Sequence, residues 1–389
     1  METEIVNLSG YFDGTTFRKG LVKIIMEGGK IKEILPQKSI EISKEGIDGQ
    51  GCIASLPFVD GHTHLIFAGN RSFELPLKVG GASYAEILEK GGGILTTVQN
   101  TREASDEELL QLVLERLDVM MKHGTGIVEA KSGYGLDAEQ ELRLLRLLKK
   151  ADEIHPVRII PTYCGAHALP KEKKRSDYVE EVIATLLDIK GLATATDVFC
   201  DRGAFTVDET RKILKASIDE NIPVKVHADE LEYTGIGKIA ATEFNALSAD
   251  HLLQATEEDF QVLAKSGTTA MFMPAAPIGL FSSDRPKGWK RIESLNIGLG
   301  TDFNPNNLVY SMQTAIRLAV YLYRMDPNLA MKAATSGSYL GLTGERLSPL
   351  EPGAEANLIL LRGDTPEDFI TQFDRNMCRQ IFINGKPMI

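Results

Sequence analysis

His62, Thr63 and His64 close an apolar run, Ile53-Ala54-Ser55-Leu56-Pro57-Phe58-Val59-Asp60-Gly61. In extended chain, residues two apart project from the same face, so these two imidazoles can converge on one ion. The run reads as a strand that ends in a metal clamp. Paired histidines are also ordinary on an exposed strand, so the clamp needs partners elsewhere in the chain. His227 follows Val224-Lys225-Val226, His251 ends Ser248-Ala249-Asp250, and Asp302 ends Gly298-Leu299-Gly300-Thr301. Each of them closes a strand-like segment. Three imidazoles and one carboxylate around a single divalent cation, with room for water, suit zinc or iron(II).

Those ends serve one site only if the elements between them bring them together. Eight strand-like segments, each followed by helical periodicity, end near His64, Lys131, Cys164, Cys200, His227, Leu252, Pro274 and Asp302. Ser105-Asp106-Glu107-Glu108 predicts a capping box, with Gly124 as the stop of the helix it opens. Asp137 with Gln140 opens the next helix in the same way, and Leu142, Leu144, Leu145 and Leu148 give it an apolar stripe. Eight alternating β/α units predict a (β/α)₈ TIM barrel, whose active site lies at the C-terminal ends of its strands. The candidate ligands occupy those ends. Barrels need about 250 residues, so a chain of 389 residues has room for an attached module. A hairpin over Val22 to Leu35 turns at Gly28-Gly29, and strands at Ala356 to Leu361 and Gln380 to Ile383 precede an Asn384-Gly385 turn. Residues 1–55 and 347–389 are therefore expected to form one small β-sandwich-like module from both chain ends, around a barrel spanning 56–346.

Composition narrows the function classes. The chain is 43% hydrophobic and 25% charged, with no run of about 18 apolar residues and no basic-then-apolar leader, so a cytoplasmic protein without membrane association is expected. Cys52, Cys164, Cys200 and Cys378 are scattered, unlike a disulfide scaffold or zinc ribbon, and read as reduced core thiols. A net charge of −11 opposes adhesion to nucleic acid or anionic lipid. Homodimerisation is left open. An anionic substrate would need a local cation.

Longer blocks carry a resemblance. They are Phe58-Val59-Asp60-Gly61-His62-Thr63-His64-Leu65, Phe67-Ala68-Gly69-Asn70-Arg71, Gly91-Gly92-Gly93-Ile94, Lys131-Ser132-Gly133-Tyr134-Gly135-Leu136, Gly165-Ala166-His167-Ala168, His227-Ala228-Asp229-Glu230 and Thr301-Asp302-Phe303-Asn304-Pro305. From Pro57 to Pro305 the chain resembles the amidohydrolase superfamily. The Lys-Ser-Gly-Tyr-Gly and Gly-Ala-His-Ala blocks are similar to one branch of it, whose members open the imidazolone ring in histidine degradation. Asn306 departs from the glycine commoner there, and Pro274 to Gly288 lacks the branch's aromatic-rich text, so the ring-facing wall is not carried over.

The resemblance implies hydrolysis of the ring amide of 4-imidazolone-5-propanoate, a small carboxylate-bearing cyclic amide, to N-formimidoyl-glutamate. His62, His64, His227 and Asp302 would hold the metal. Glu230, three residues past His227, would carry a proton from water to the departing ring nitrogen, and His251 would orient the water or polarise the carbonyl. A guanidinium binds a carboxylate through two parallel bonds and phenols add neutral donors, so Arg71, Tyr84 and Tyr134 are candidates for the propanoate. His167 and Asn304 would contact the ring. Binuclear relatives bridge two metals with a lysine on the fourth strand; Lys131 falls on the second, which favours one metal and leaves Lys131 as a structural or substrate-contacting cation. Gly91-Gly92-Gly93 suits either a lid hinge or a tight turn. Two alternatives stand beside this reading: a mononuclear aminohydrolase of a heterocyclic ring, which would use the same ligands, and a barrel without catalysis, against which the full ligand set argues.

Overall fold

The structure is a computed structural model that describes residues 2–42, 46–82, 86–87 and 90–388. Strands β1 (Glu2–Phe12), β2 (Phe17–Glu27), β3 (Lys30–Pro36), β4 (Ile47–Asp48) and β5 (Ile53–Ser55) belong to an outer sheet, which β14 (Leu358–Leu361), β15 (Cys378–Ile383) and β16 (Lys386–Pro387) complete. Its order is β16-β15-β14-β5-β1-β2-β3, with β4 also paired to β1. The hairpin between β2 and β3 turns at Gly28 and Gly29, both with positive φ, where a side chain would be strained. The far edge curls back, because Ile31 donates to the Ala354 carbonyl at 2.9 Å ahead of β14. The module has its own apolar core, which includes Ile5, Leu8, Ile24, Leu358 and Phe382.

The second sheet is all parallel and runs in strict chain order: β6 (Phe58–Asp60), β7 (Thr125–Lys131), β8 (Arg158–Ala166), β9 (Ala195–Cys200), β10 (Val224–Ala228), β11 (Ser248–His251), β12 (Thr269–Phe272) and β13 (Ile297–Leu299). It closes on itself. Gly61 N donates to Leu299 O at 3.0 Å, Asp302 N to His62 O at 2.9 Å, and His64 N to Phe303 O at 2.9 Å. The expected TIM barrel is therefore present, closed along a seam that runs through the candidate ligands.

Several boundaries differ from the sequence reading. Ile53 to His64 is two strands rather than one: β5 pairs with β1 and β14 in the outer sheet, and β6 opens the barrel. Leu56-Pro57 separates them, and proline, lacking an N–H, interrupts a ladder. The two histidines lie past the end of β6, so the seam bonds fix them rather than strand pairing. β8 runs two residues beyond Cys164, β12 stops two short of Pro274, and β13 stops three before Asp302. At the helix starts, Ser105 accepts from Glu108 N at 3.1 Å without the reciprocal bond. Asp137 likewise caps through Glu139 N and Gln140 N alone. Complete capping boxes form instead at Thr206 with Glu209 and Thr256 with Asp259. The leucine stripe at 142, 144, 145 and 148 is buried, and all four cysteines are buried and free. Among the described residues no helix is long and apolar enough to cross a membrane.

The seam leaves no room for side chains. A Cβ added at Gly300 would lie 2.7 Å from both N and Cβ of His62. Gly300→Ala is expected to lower stability by about 1–3 kcal/mol, the usual range for overpacking, read as a reduced urea midpoint; an unchanged midpoint would show that the seam relaxes freely.

Candidate active site

The ends of β6, β10 and β13 aim four buried ligating groups at one point. His227 Nε2 lies 3.3 Å from His64 Nε2. Asp302 Oδ1 lies 3.7 Å from His62 Nε2 and 3.9 Å from His64 Nε2. Metal–nitrogen bonds of about 2.1 Å place tetrahedral ligands about 3.4 Å apart, so the set fits a divalent ion. His62, His64 and His227 bring ligating atoms within 4.8 Å of one another, and the buried His62 Nε2 has no hydrogen-bond partner. Burial first, then neighbouring positive groups, holds His62 and His64 well below the usual histidine pKa, in the neutral form that a metal requires. The rear nitrogens are held too: His62 Nδ1 sits 2.7 Å from Asp250 Oδ2 and His227 Nδ1 sits 3.1 Å from Asp197 Oδ2. Such carboxylates fix ring orientation and tautomer. His251 and Asp302 both adopt left-handed backbone, φ 74° and 51°, conformations that cost energy in residues other than glycine and gather at functional sites.

Beneath the histidines lies a fully buried layer of charge. Lys131 Nζ bonds Asp197 and Glu129, the latter at 2.9 Å, and approaches Asp250 Oδ2 at 3.6 Å. Lys225 Nζ also bonds Glu129. Burial opposes the Lys131 ammonium, yet Asp197, Glu129 and Asp250 outweigh it and hold the pKa well above the usual lysine range. Lys131 is therefore a structural cation and does not face the cavity. Sequence reasoning missed Glu129, Asp197, Lys225 and Asp250. Their signal was charge at every second position of apolar strands, Glu129 with Lys131 and Lys225 with His227, which is one inward face of a barrel.

Above the ligands opens a cavity of about 860 Å³. Arg71, Tyr134, His167, Glu230, His251 and Asn304 all line it. Glu230 is half-buried rather than a surface acid, its side chain 11% exposed, and desolvation first, then Asp302 and Asp201, pushes its pKa well above the usual carboxylate range. Its Oε1 lies 3.4 Å from His251 Nδ1. His167 stacks on His64 at 4.4 Å and donates through Nδ1 to Gly133 O at 3.0 Å, which leaves Nε2 as an acceptor. Asn304 spans its own turn, donating to Asp302 O and accepting from Asn306 N. Arg71 departs from expectation, because its Nε and Nη2 are already taken by the buried Glu74, at 2.7 and 2.9 Å. That fork leaves both Nη1 hydrogens and one Nη2 hydrogen. Lys78, on the same wall, sits 3.4 Å from Glu74 and bonds Asn306. Glu74 also accepts from Gly93 N at 2.7 Å, which ties down one end of the glycine run. The segment from Pro274 to Gly288 supplies Leu280 and Phe281 to the cavity wall. Tyr84 lies outside the described residues.

A closed barrel with clustered histidines and a carboxylate at its strand ends fits the class of metal-dependent hydrolases to which amidohydrolases belong. Residues 54–388 match the profile of the Amidohydrolase family, and the chain belongs to that family. Imidazolonepropionase of Haloarcula marismortui is 37% identical over 95% of this chain and 90% of its own length. Imidazolonepropionase of Pyrobaculum arsenaticum is 40% identical over 85% of this chain and 82% of its own. Within the amidohydrolases, the chain stands among the imidazolonepropionases. Its fold is also that of 5-methylcytosine deaminase from Klebsiella pneumoniae liganded with 5-fluorocytosine, with TM-score 0.79 at 17% identity over 100% and 97% of the two chains. An adenosine deaminase from Xanthomonas campestris with bound zinc gives 0.72 at 15% over 99% and 92%. At such identities the likeness is one of fold alone.

Burial pushes the Asp302 carboxyl up to about 6 against the hydrogen bond from Asn304. A carboxyl raised from 3.8 costs the metal-free fold nothing below that value and destabilises it progressively as pH rises to about 6, while metal binding needs the carboxylate. Adding zinc to chelator-treated protein should therefore raise Tm more at about pH 7.5 than at about pH 5. Equal shifts would remove Asp302 from the ligand set.

Proposed function

We propose that this chain opens the ring amide of 4-imidazolone-5-propanoate to N-formimidoyl-L-glutamate, a step of histidine degradation. What supports the proposal is a single cavity joining the candidate ligands His64, His227 and Asp302 to a cationic wall, Arg71 with Lys78, in a chain 37% identical to an imidazolonepropionase. His62, His64, His227 and Asp302 hold one ion per chain, zinc or iron(II). When bound, that ion lowers the pKa of water toward neutrality and supplies the nucleophile. Glu230 accepts the proton that water loses and delivers it to the departing ring nitrogen; its raised pKa suits a group that must act as base and then as acid near neutral pH. His251 orients the water or the ring carbonyl, and Asp302 shares the proton burden. Arg71 meets the propanoate through its Nη1–Nη2 edge, with Tyr84 and Tyr134 as neutral donors, while His167 and Asn304 face the ring. Residues 56–346 carry this chemistry, with 1–55 and 347–389 as one supporting module. The proposal extends to a cytoplasmic enzyme, compatible with a homodimer, that binds neither nucleic acid nor membrane.

Incubation of metal-loaded protein with 4-imidazolone-5-propanoate should bleach the conjugated ring in the ultraviolet without releasing ammonia. Turnover of an aminated heterocycle with ammonia release, and none of the imidazolone, would reverse the reading toward an aminohydrolase. Glu230→Gln should keep its metal and lose about 10² to 10⁴ in turnover; near-normal activity would take Glu230 out of the mechanism. Arg71→Met should lose about tenfold to a hundredfold in kcat/KM at unchanged metal content. It should also cease to discriminate against an analogue whose carboxylate is replaced by methyl. Wild type indifferent to that replacement would defeat the substrate assignment.

A further inference from the structure

Glu230 is aimed by its backbone. Its carboxylate meets His251 at 3.4 Å and makes no hydrogen bond among the described residues, so a freely chosen rotamer would scatter the proton it carries. The chain that bears it is instead pinned by one side chain from another loop. Asp201, directly after β9, is only 5% exposed. Its Oδ2 accepts from Glu230 N at 2.9 Å and Leu231 N at 2.8 Å, and its Oδ1 accepts from Glu232 N at 3.1 Å and Arg202 N at 2.6 Å. Three successive amides converging on one carboxylate form an anion nest, and bonds to an ionised acceptor are roughly twice as strong as neutral ones.

The same turn is held from within. Asp229 sits in left-handed backbone, φ 52°, immediately before Glu230. Its Oδ1 accepts from Thr234 N at 2.7 Å and Gly235 N at 2.8 Å. The strained residue reverses the chain as it leaves β10, and Asp201 holds the reversal in place. Asp201 makes no hydrogen bond or ion pair with His62, His64, His227 or Asp302 among the described residues.

We infer that Asp201 is a positioning residue for the proton shuttle, acting on the reaction through Glu230, whose backbone amide it holds together with the two that follow. The inference rests on the proposed role of Glu230 and separates from it experimentally. Asp201→Asn keeps the volume but turns an amide NH₂ toward a cluster of N–H donors, so the nest loses acceptors. Steady-state turnover of 4-imidazolone-5-propanoate by the metal-loaded protein should then fall about tenfold to a hundredfold in kcat, the scale of a misplaced catalytic group. KM and metal content should hold. In a Glu230→Gln background, Asp201→Asn should cost nothing further, because there is no longer a shuttle to aim. Asp201→Glu, which keeps the charge, should recover part of the loss, and serves in the same cycle if the asparagine variant is insoluble.

Losses that multiply across the two sites, or metal lost from the Asp201 variants, would overturn the inference in favour of a general structural role. Full activity in Asp201→Asn with Glu230→Gln impaired would defeat the positioning role and leave the proposed function standing. Full activity in Glu230→Gln would take Glu230 out of the mechanism and overturn the inference, with the ring-opening reaction itself still standing.

Discussion

The constraint on which the site depends is the cost of keeping charge inside a barrel. Glu129, Asp197 and Asp250 face Lys131 and Lys225 with no access to water. An unpaired buried ion costs several kcal/mol, so each group is tolerable only because the others are in place. The lattice is not stoichiometric: three carboxylates meet two ammonium groups, and the excess negative charge lies against the rear nitrogens of His62 and His227. That excess makes these imidazoles better donors on their opposite edge, where a divalent cation completes the balance. One layer of paired charges thus decides ring orientation, tautomer and the sign of the field at the metal position.

The cavity above repeats the logic at lower cost. Glu74 is buried, and it is satisfied by Arg71, Lys78 and the amide of Gly93. Two cations share one fixed anion, leaving a net positive wall in a protein whose overall charge is −11. A local field of this kind attracts an anionic substrate against the global one. The internal partner also restrains Arg71, so its remaining donors are presented with less further loss of side-chain freedom.

The parts legible in the sequence were those written in spacing. Two histidines at i and i+2, and single ligands closing successive apolar runs, identified the barrel and its catalytic face, since both periodicities are local. Glu74 was invisible because its partners Arg71 and Lys78 have the i+3 and i+4 spacing of any surface helix, and only burial distinguishes it. Asp201 was invisible for the opposite reason: it acts on amides about thirty residues away, and backbone donors leave no trace in residue types. The run from Ile53 to His64 was misread as one strand because apolar content alone does not say which sheet a residue joins. Pro57 held that information. Left-handed φ at His251 and Asp302 had only a weak antecedent, since aspartate and histidine tolerate that region better than most residues but far less than glycine.

The seam between β6 and β13 has a kinetic meaning. Asp60 and Thr301, joined by two hydrogen bonds, stand 241 residues apart in the chain. Bringing such distant segments together demands the closure of a very long loop, and contacts of this range form late in folding. His62 and His64 follow the first barrel strand and His227 lies on the fifth, while Asp302 arrives only after the eighth. On the proposed ligand set, all four ligands therefore come together only once the eighth strand has docked against the first.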